Sequence, residues 1–325
     1  MQIAFTVCTN SHLAQAKTMA DSLIAHNPSY QVVIGLVDKI QQQSHIDFVA
    51  PHQIVEIKTI KIPDFEGLLG KFNLYEMSCL AKPYFANYFF DTHQSLQKLL
   101  YFDTDMLIFD SLQPIEDSLE NYDIIINPHV TAPFNDIHSP HLRIFLNSGI
   151  YNGGFFALRR SNEAFRFLNW WQQYVTEDGY VNFCKGMFVD QLCLNFLPLF
   201  FKNVLIEHNP GYNISYWNLH ERTVVRRDEK WWVNEHFPLL FFHFSGYQID
   251  KPNQISLHQD RHQWEDRTDI HPLFELYHNG LLKNQHSSFM QIPNVYFKKP
   301  WHDKFSYLKG WVIVICRKIL KELNA

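Results

Sequence analysis

The chain has 325 residues, 46% of them apolar, enough for one large domain, or a domain with an appendage, around a substantial core. A formal net charge of −5 gives no reason to expect nucleic acid. No apolar run approaches the roughly 20 residues of a membrane-spanning helix. Aromatic residues are frequent, with 28 Phe, 15 Tyr and 8 Trp, a usage shared by cores, sugar-binding surfaces and membrane-facing surfaces. Eighteen histidines make the charge sensitive to mild acid. Cys8, Cys79, Cys184, Cys193 and Cys316 are odd in number and lack a C-x-x-C pair, which fits a reducing compartment and argues against structural zinc. The first ten residues lack the pattern of a signal peptide, so the expected location is cytoplasmic.

In chain order, Ile3 to Cys8 reads as a buried strand, and Thr9-Asn10-Ser11 offers turn and N-cap chemistry. Leu13, Ala16, Met19, Ala20, Leu23 and Ile24 then recur at helical spacing up to Asn27-Pro28. Gln31 to Val37 is the next strand, with Asp38 at its end. This β-α-β opening predicts a mainly parallel sheet whose ligands bind outside the carboxyl ends of its strands. Neither G-x-G-x-x-G nor G-x-x-x-x-G-K-[ST] is present, which disfavours a dinucleotide-dependent dehydrogenase and a P-loop NTPase. Ile54 to Ile62 alternates weakly as a strand. Tyr75 to Tyr88 is a helical candidate interrupted at Lys82-Pro83, where Pro83 would open a second helix.

Leu99 to Phe109 (L-L-Y-F-D-T-D-M-L-I-F) is an apolar run with two carboxylates at its centre. It reads as a strand buried on both faces that ends at a cleft, with a short strand resuming beyond. In a straight strand Asp103 and Asp105 share a face; a turn would aim them differently. Either way, two hard oxygen ligands suit Mg²⁺ or Mn²⁺, with phosphate completing the shell. Tyr122 to Asn127 is another buried strand. In Y-N-G-G-F-F, Gly153 and Gly154 precede a strand, where the backbone either approaches a ligand closely or makes a plain tight turn. Ser161 is the expected N-cap of a helix running to Tyr174. Phe188 to Asn195 opens a short helix in which Asp190 and Gln191 act as caps or in catalysis. Pro210 to Leu219 is a polar and aromatic loop. His243 ends a short strand, where a lone histidine is ordinarily a hydrogen-bonded core residue. His258 and His262 read as surface residues.

The order of these motifs resembles that of metal-dependent, nucleotide-sugar-using glycosyltransferases of the GT-A fold, nearest the family 8 type and its bacterial relatives. F-T-V-C-T-N, K-P at Lys82, L-Y-F-D-T-D-M, Y-N-G-G-F-F, V-D-Q-L-C-L-N and F-H-F-S-G carry the likeness, across residues 3–252. The resemblance implies a mixed α/β, Rossmann-like sheet flanked by helices, with a catalytic domain over 1–255 and a helical appendage over 256–325. It implies that Thr9 and Asp38 flank the base and ribose of a UDP-sugar. Asp103, Asp105 and His243 would hold Mn²⁺ or Mg²⁺ against the diphosphate. Asn152, Gly153 and Gly154 would line the sugar, and Asp190 and Gln191 would lie beside the anomeric carbon. The family's H-x-x-G-x-x-K-P is altered here: four residues separate Gly246 from Lys251-Pro252, so Lys251 and Lys82 compete as the phosphate contact. The implied reaction moves a hexosyl unit to a glycan or lipid-linked acceptor, as in polysaccharide biosynthesis, with retention of configuration. A metal-dependent nucleotidyltransferase or phosphohydrolase is the alternative, and a non-catalytic carbohydrate-binding protein a third reading.

Lys298 to Leu323 carries seven Lys and Arg against Asp303 and Glu322, with Phe305, Leu308, Val312, Ile315, Ile319 and Leu323 at helical spacing. This basic amphipathic pattern fits either a peripheral helix on an anionic membrane surface or a helix docked on protein.

Overall fold

A computed structural model describes residues 1–297. The basic tail from Lys298 lies outside the described residues. The chain opens with β1 (Gln2–Cys8), α1 (Leu13–His26) and β2 (Tyr30–Leu36), and its two strands pair in parallel as the β-α-β pattern predicts. Then come α2 (Gln43–Val49), β3 (Gln53–Glu56), α3 (Phe65–Lys71), α4 (Leu74–Thr92) and β4 (Lys98–Phe102). They are followed by β5 (Met106–Ile108), α5 (Gln113–Ser118), β6 (Ile124–Pro128), α6 (Leu142–Ser148), β7 (Tyr151–Arg159) and α7 (Asn162–Asp178). The rest comprises α8 (Leu197–Phe200), β8 (Val204–Ile206), β9 (Val224–Arg227), β10 (Lys230–Val233), β11 (Phe237–Pro238), β12 (Phe241–His243), α9 (His271–Lys283) and α10 (His286–Phe289).

Seven strands form the main sheet in the order β3-β2-β1-β4-β7-β6-β8, and β7 alone among them runs against its neighbours. β4 sits at the centre with Leu99, Leu100, Tyr101 and Phe102 fully buried. Its side chains alternate between two cores. Leu99 and Tyr101 join α4 and α7 on one face, and Leu100 and Phe102 join α1 and Phe241 on the other. That is why the run is apolar without alternation.

α4 corrects the sequence reading: Leu74 to Thr92 is one helix with Pro83 inside it. An interior proline removes a helical hydrogen bond and costs about 3 kcal/mol. Two features offset this. Asn73 and Glu76 form a reciprocal capping box, with bonds of 3.0 and 2.9 Å. The buried face from Met77 to Phe90 packs against α7, where the Gln172 side chain donates to the Pro83 carbonyl at 3.1 Å. Lys82 therefore stands in mid-helix, not at a helix start. Ser161 does cap α7, its Oγ accepting from the Ala164 amide at 3.1 Å. The expected strand from Ile54 stops at Glu56 and turns into a short 3-10 helix.

Within the region after residue 255, α9 and α10 pack on α1, and the Asn284 side chain donates to Thr18 Oγ1 at 2.9 Å. Residues beyond α10 then cross the carboxyl end of β2, with the Asn294 side chain donating to the Val37 carbonyl at 3.0 Å. Among the described residues no helix is long and apolar enough to cross a membrane.

Candidate active site

The two aspartates lie where the chain changes sheets. Asp103 extends the β4–β7 ladder by one bond, its amide donating to the Gly154 carbonyl at 2.8 Å. The chain then turns at Thr104 and enters β5, which pairs antiparallel with β12. His243 stands opposite Met106 in that pairing, and the Phe244 amide donates to the Asp105 carbonyl at 2.8 Å. The turn aims the carboxylates differently. Asp103 accepts from the Tyr101 hydroxyl and faces Lys82, whose Nζ is 3.3 Å away. Asp105 faces His243, with Oδ1 3.0 Å from Nε2.

Asp103, Asp105 and His243 each offer a ligand atom, all within 4.8 Å of one another. Two carboxylates and an imidazole suit a hard or borderline divalent cation. The space beside them depends on Gly154. A Cβ there would lie 2.8 Å from Asp103 Oδ2 and 2.7 Å from His243 Cε1, closer than side chains pack. The donor set and the glycine cradle both fit a metal ion.

Electrostatics tie the groups together. Burial opposes the His243 imidazolium, but the adjacent Asp105 carboxylate outweighs it and raises the histidine pKa. Burial likewise opposes the Asp105 charge, and His243 reverses the balance and lowers its pKa. Burial alone would discharge Lys82, yet Asp103 and Asp190 hold its pKa well above the ordinary value. Its ammonium is 3.2 Å from Asp190 Oδ2 and donates to the Gly153 carbonyl at 3.0 Å. Asp190 is buried, which pushes its carboxyl pKa up against the pull of Lys82.

All of these groups except the buried His243 wall a cleft of about 540 Å³ at the carboxyl ends of β1 and β4. Thr9, Lys82, Asp103, Asp105, Gly153, Gly154, Asp190 and Gln191 all line it. Thr9 is no side-chain cap for the following turn, since its hydroxyl engages Ser11 Oγ at 2.8 Å and His12 Nδ1 at 3.1 Å. Gln191 precedes a 3-10 helix (Leu192–Phe196) rather than opening an α-helix. Its carboxamide is held at both ends, by the Gly153 amide at 2.8 Å and the Ser148 carbonyl at 2.7 Å. Asn152 sits behind the wall, its Oδ1 accepting from the Gly154 amide at 3.0 Å.

Two expected residues stand apart from the cleft. Asp38 is fully buried, and its Oδ1 accepts from the amides of Lys39 at 2.9 Å and Val295 at 2.8 Å. Lys251 is exposed, in the turn after β12. Other residues of the site were not singled out from sequence: Tyr101, His12, His129 and Asn213. Asn213 and His129 are almost fully buried and bond into the Asn152 carboxamide at 2.9 and 3.2 Å. The available signal was the run of uncharged polar residues among aromatics in N-P-G-Y-N-I-S-Y-W-N, a composition unlike that of a solvated loop.

No family model matches the sequence. The uncharacterized protein YfnF of Bacillus subtilis strain 168 is 28% identical over 208 residues, covering 62% of this chain and 65% of YfnF. The chain thus spans just under two thirds of that relative's length. Among solved structures, the galactosyltransferase LgtC, in complex with donor and acceptor sugar analogues, is 16% identical with a TM-score of 0.48, over 90% of this chain and 98% of LgtC. The bifunctional glycosyltransferase WbbM is 12% identical with a TM-score of 0.50, over 89% of this chain and 51% of WbbM. The seven-stranded, mainly parallel sheet flanked by helices is the GT-A glycosyltransferase fold, which this chain shares with WbbM.

Proposed function

We propose that this protein is a metal-dependent glycosyltransferase that moves a hexosyl unit from a UDP-sugar to a glycan or lipid-linked acceptor, with retention of configuration. The observation that carries the reading is the meeting of Asp103, Asp105 and His243 at the end of the central strand, with both aspartates lining the cleft and His243 buried beside them, in a glycosyltransferase fold. Sugar transfer from a nucleoside diphosphate concentrates negative charge on the departing phosphate. Mn²⁺ or Mg²⁺ held by these three residues would supply charge neutralisation there.

The residues of the cleft divide the remaining work. Val7, Cys8, Thr9, Leu74, Tyr75 and Ser78 line one part of the cleft, where a base and ribose fit between β1 and α4. Lys82 keeps a buried positive charge near the phosphates and anchors the Gly153 carbonyl. Gly153 and Gly154 let the donor sugar approach the backbone. Asp190 and Gln191 line the cleft beside them, where a carboxylate and a fixed carboxamide oxygen can favour an oxocarbenium-like sugar. Asp38, bonded to the Val295 amide outside the cleft, is given no direct contact with the donor in this reading.

Stereochemistry is read by NMR of the product formed from an α-linked donor. The reading expects an α-linked product; a β-linked product would refute retention. A Gln191→Ala variant with unchanged kcat would remove that residue from the mechanism.

A further inference from the structure

We infer that the outer faces of α6, α8 and the 181–188 segment form a ledge that docks on an anionic bilayer, bordering the cleft beside Gln191. The docking itself stands apart from the transferase reading; only its consequence for the acceptor rests on that reading.

The ledge consists of apolar side chains that the core does not take. In α6, Phe145 turns inward and stacks on His129 with ring centres 4.9 Å apart, while Ile144 and Leu146 face solvent, Leu146 at 67% exposure. Between Leu192 and Phe201 the buried apolar residues are Cys193, Leu194, Leu197 and Phe201. Phe196, Leu199 and Phe200 point outward instead, Leu199 at 76% exposure. The Phe196 and Phe200 rings stack at 5.2 Å with 5° between their planes, so they present one flat surface. Phe183, also exposed, stacks on Phe188 at 5.5 Å. Single exposed Leu or Phe residues are ordinary, whereas a gathering of them marks an interaction surface.

Three bonds tie these segments together around Gln191. Its side chain donates to the Ser148 carbonyl, at the end of α6, at 2.7 Å. The Ile150 amide donates to Asn195 Oδ1 at 2.8 Å, and the Leu192 amide donates to the Phe188 carbonyl at 3.2 Å. Phe188 lines the cleft. The ledge therefore shares an edge with the cleft at its Gln191 end.

Charge selects the occupant. Residues 142–150 hold Arg143 and no carboxylate. Residues 181–202 hold Lys185 and Lys202, and their one carboxylate, Asp190, is buried against Lys82. Arg143, Lys185 and Lys202 are all exposed. The neighbouring acid, Glu163, is already paired with Arg166 at 2.7 Å. Exposed Phe and Leu among such cations suit the headgroup boundary of an anionic membrane. A second copy docked on the same face would set like charges against each other. A few inserted side chains bind marginally and reversibly, and stable anchoring takes two signals. The ledge thus orients the cleft rather than retaining the chain by itself, and the acceptor it favours is a glycan joined to a lipid.

The probe is the full chain with Cys316→Ala, carrying the environment-sensitive dye NBD on Cys184, which is exposed while Cys8, Cys79 and Cys193 are buried. Vesicles of equimolar phosphatidylglycerol and phosphatidylcholine are added without any sugar. The expected response is a blue shift with at least about a twofold rise in emission, quenched by a nitroxide-bearing lipid. The same dye on Leu276→Cys, on α9 of a chain with Cys184→Ala and Cys316→Ala, is expected to stay unchanged. Leu146→Glu with Leu199→Glu is expected to keep wild-type melting and to weaken the Cys184 response about tenfold in lipid concentration. An unchanged Cys184 signal, an equal response on α9, or a wild-type response in the double variant would each overturn the inference. So would a shift that appears without vesicles and grows with protein concentration, which assigns the face to a second copy. No donor or acceptor is present, so these failures are distinct from a failure of the transferase reading.

Discussion

Lys82 Nζ lies 3.2 Å from Asp190 Oδ2, and this pair joins the mid-point of α4 to the segment that carries Gln191. Asp103 shares the same ammonium at 3.3 Å. One buried cation therefore holds two carboxylates that would otherwise repel each other across the cleft wall. Removing one partner of a buried pair costs about 3–5 kcal/mol.

Lys82→Met is expected to lose stability near the lower end of that range, because the Asp103 side chain is 29% exposed and retains some hydration. The penalty depends on pH with a definite sign. Asp190 already has a raised pKa, and loss of the ammonium raises it further. The folded variant then binds a proton more readily than the unfolded chain, so the penalty shrinks as pH falls. Urea denaturation of wild type and variant should show a smaller gap at mildly acidic pH than at mildly alkaline pH. An equal gap at both would contradict the pairing.

Gly154→Ala places a methyl group 2.7 Å from His243 Cε1 and 2.8 Å from both Asp103 Oδ2 and Asn152 Oδ1. These are side-chain atoms, so the backbone of β7 can stay while the three groups are pushed apart. We expect divalent-ion affinity and turnover to fall by at least about tenfold, with a change in Tm smaller than that of Lys82→Met. Comparing Mn²⁺ titration with thermal melting separates the two effects; intact Mn²⁺ binding in Gly154→Ala would contradict the cradle.

The central sheet was legible because burial on both faces leaves a plain mark in sequence. Leu99 to Phe102 must be apolar throughout, and the first β-α-β unit carries its own turn signals. Asp103 and Asp105 were visible for the complementary reason, as charges that such a strand cannot bury. Pro83 misled because local propensity ignores α7, whose packing and Gln172 bond keep α4 whole. The polar chain behind the site was illegible for a different reason. Asn152 meets His129 across 23 positions and Asn213 across 61, so no local pattern records the bonds. Burial of Asp38 under Val295 is likewise a long-range event, 257 positions apart in sequence.

His129 predicts an acid-sensitive fold. Burial lowers its pKa to about 4, below the ordinary 6.5, so the unfolded chain binds this proton first. Stability is therefore fully present above the unfolded value and is lost as pH falls through the window toward about 4. A displacement of this size corresponds to about 3 kcal/mol. His129→Gln should be less stable than wild type near neutrality and should lose less on acidification. Parallel urea titrations at several pH values check this, and superimposable pH profiles would contradict it.

The tail from Lys298 gives a separate test of membrane association. Wild type and a chain ending at Phe297 are mixed with anionic vesicles and sedimented. On the membrane reading only the full chain pellets, and salt releases it. If both stay in the supernatant at low salt, that reading fails.

The most direct test of the central claim is sugar transfer itself. The purified protein is incubated with a panel of UDP-sugars and glycan or lipid-linked acceptors, with Mn²⁺ or with EDTA, beside Asp105→Ala as control. The account predicts a glycosylated product and UDP release from at least one donor with Mn²⁺. It predicts neither with EDTA nor with the variant, whose melting curve should stay close to wild type because the Asp105 side chain is 27% exposed at the cleft. Full transfer in EDTA, or full activity of Asp105→Ala, would contradict it.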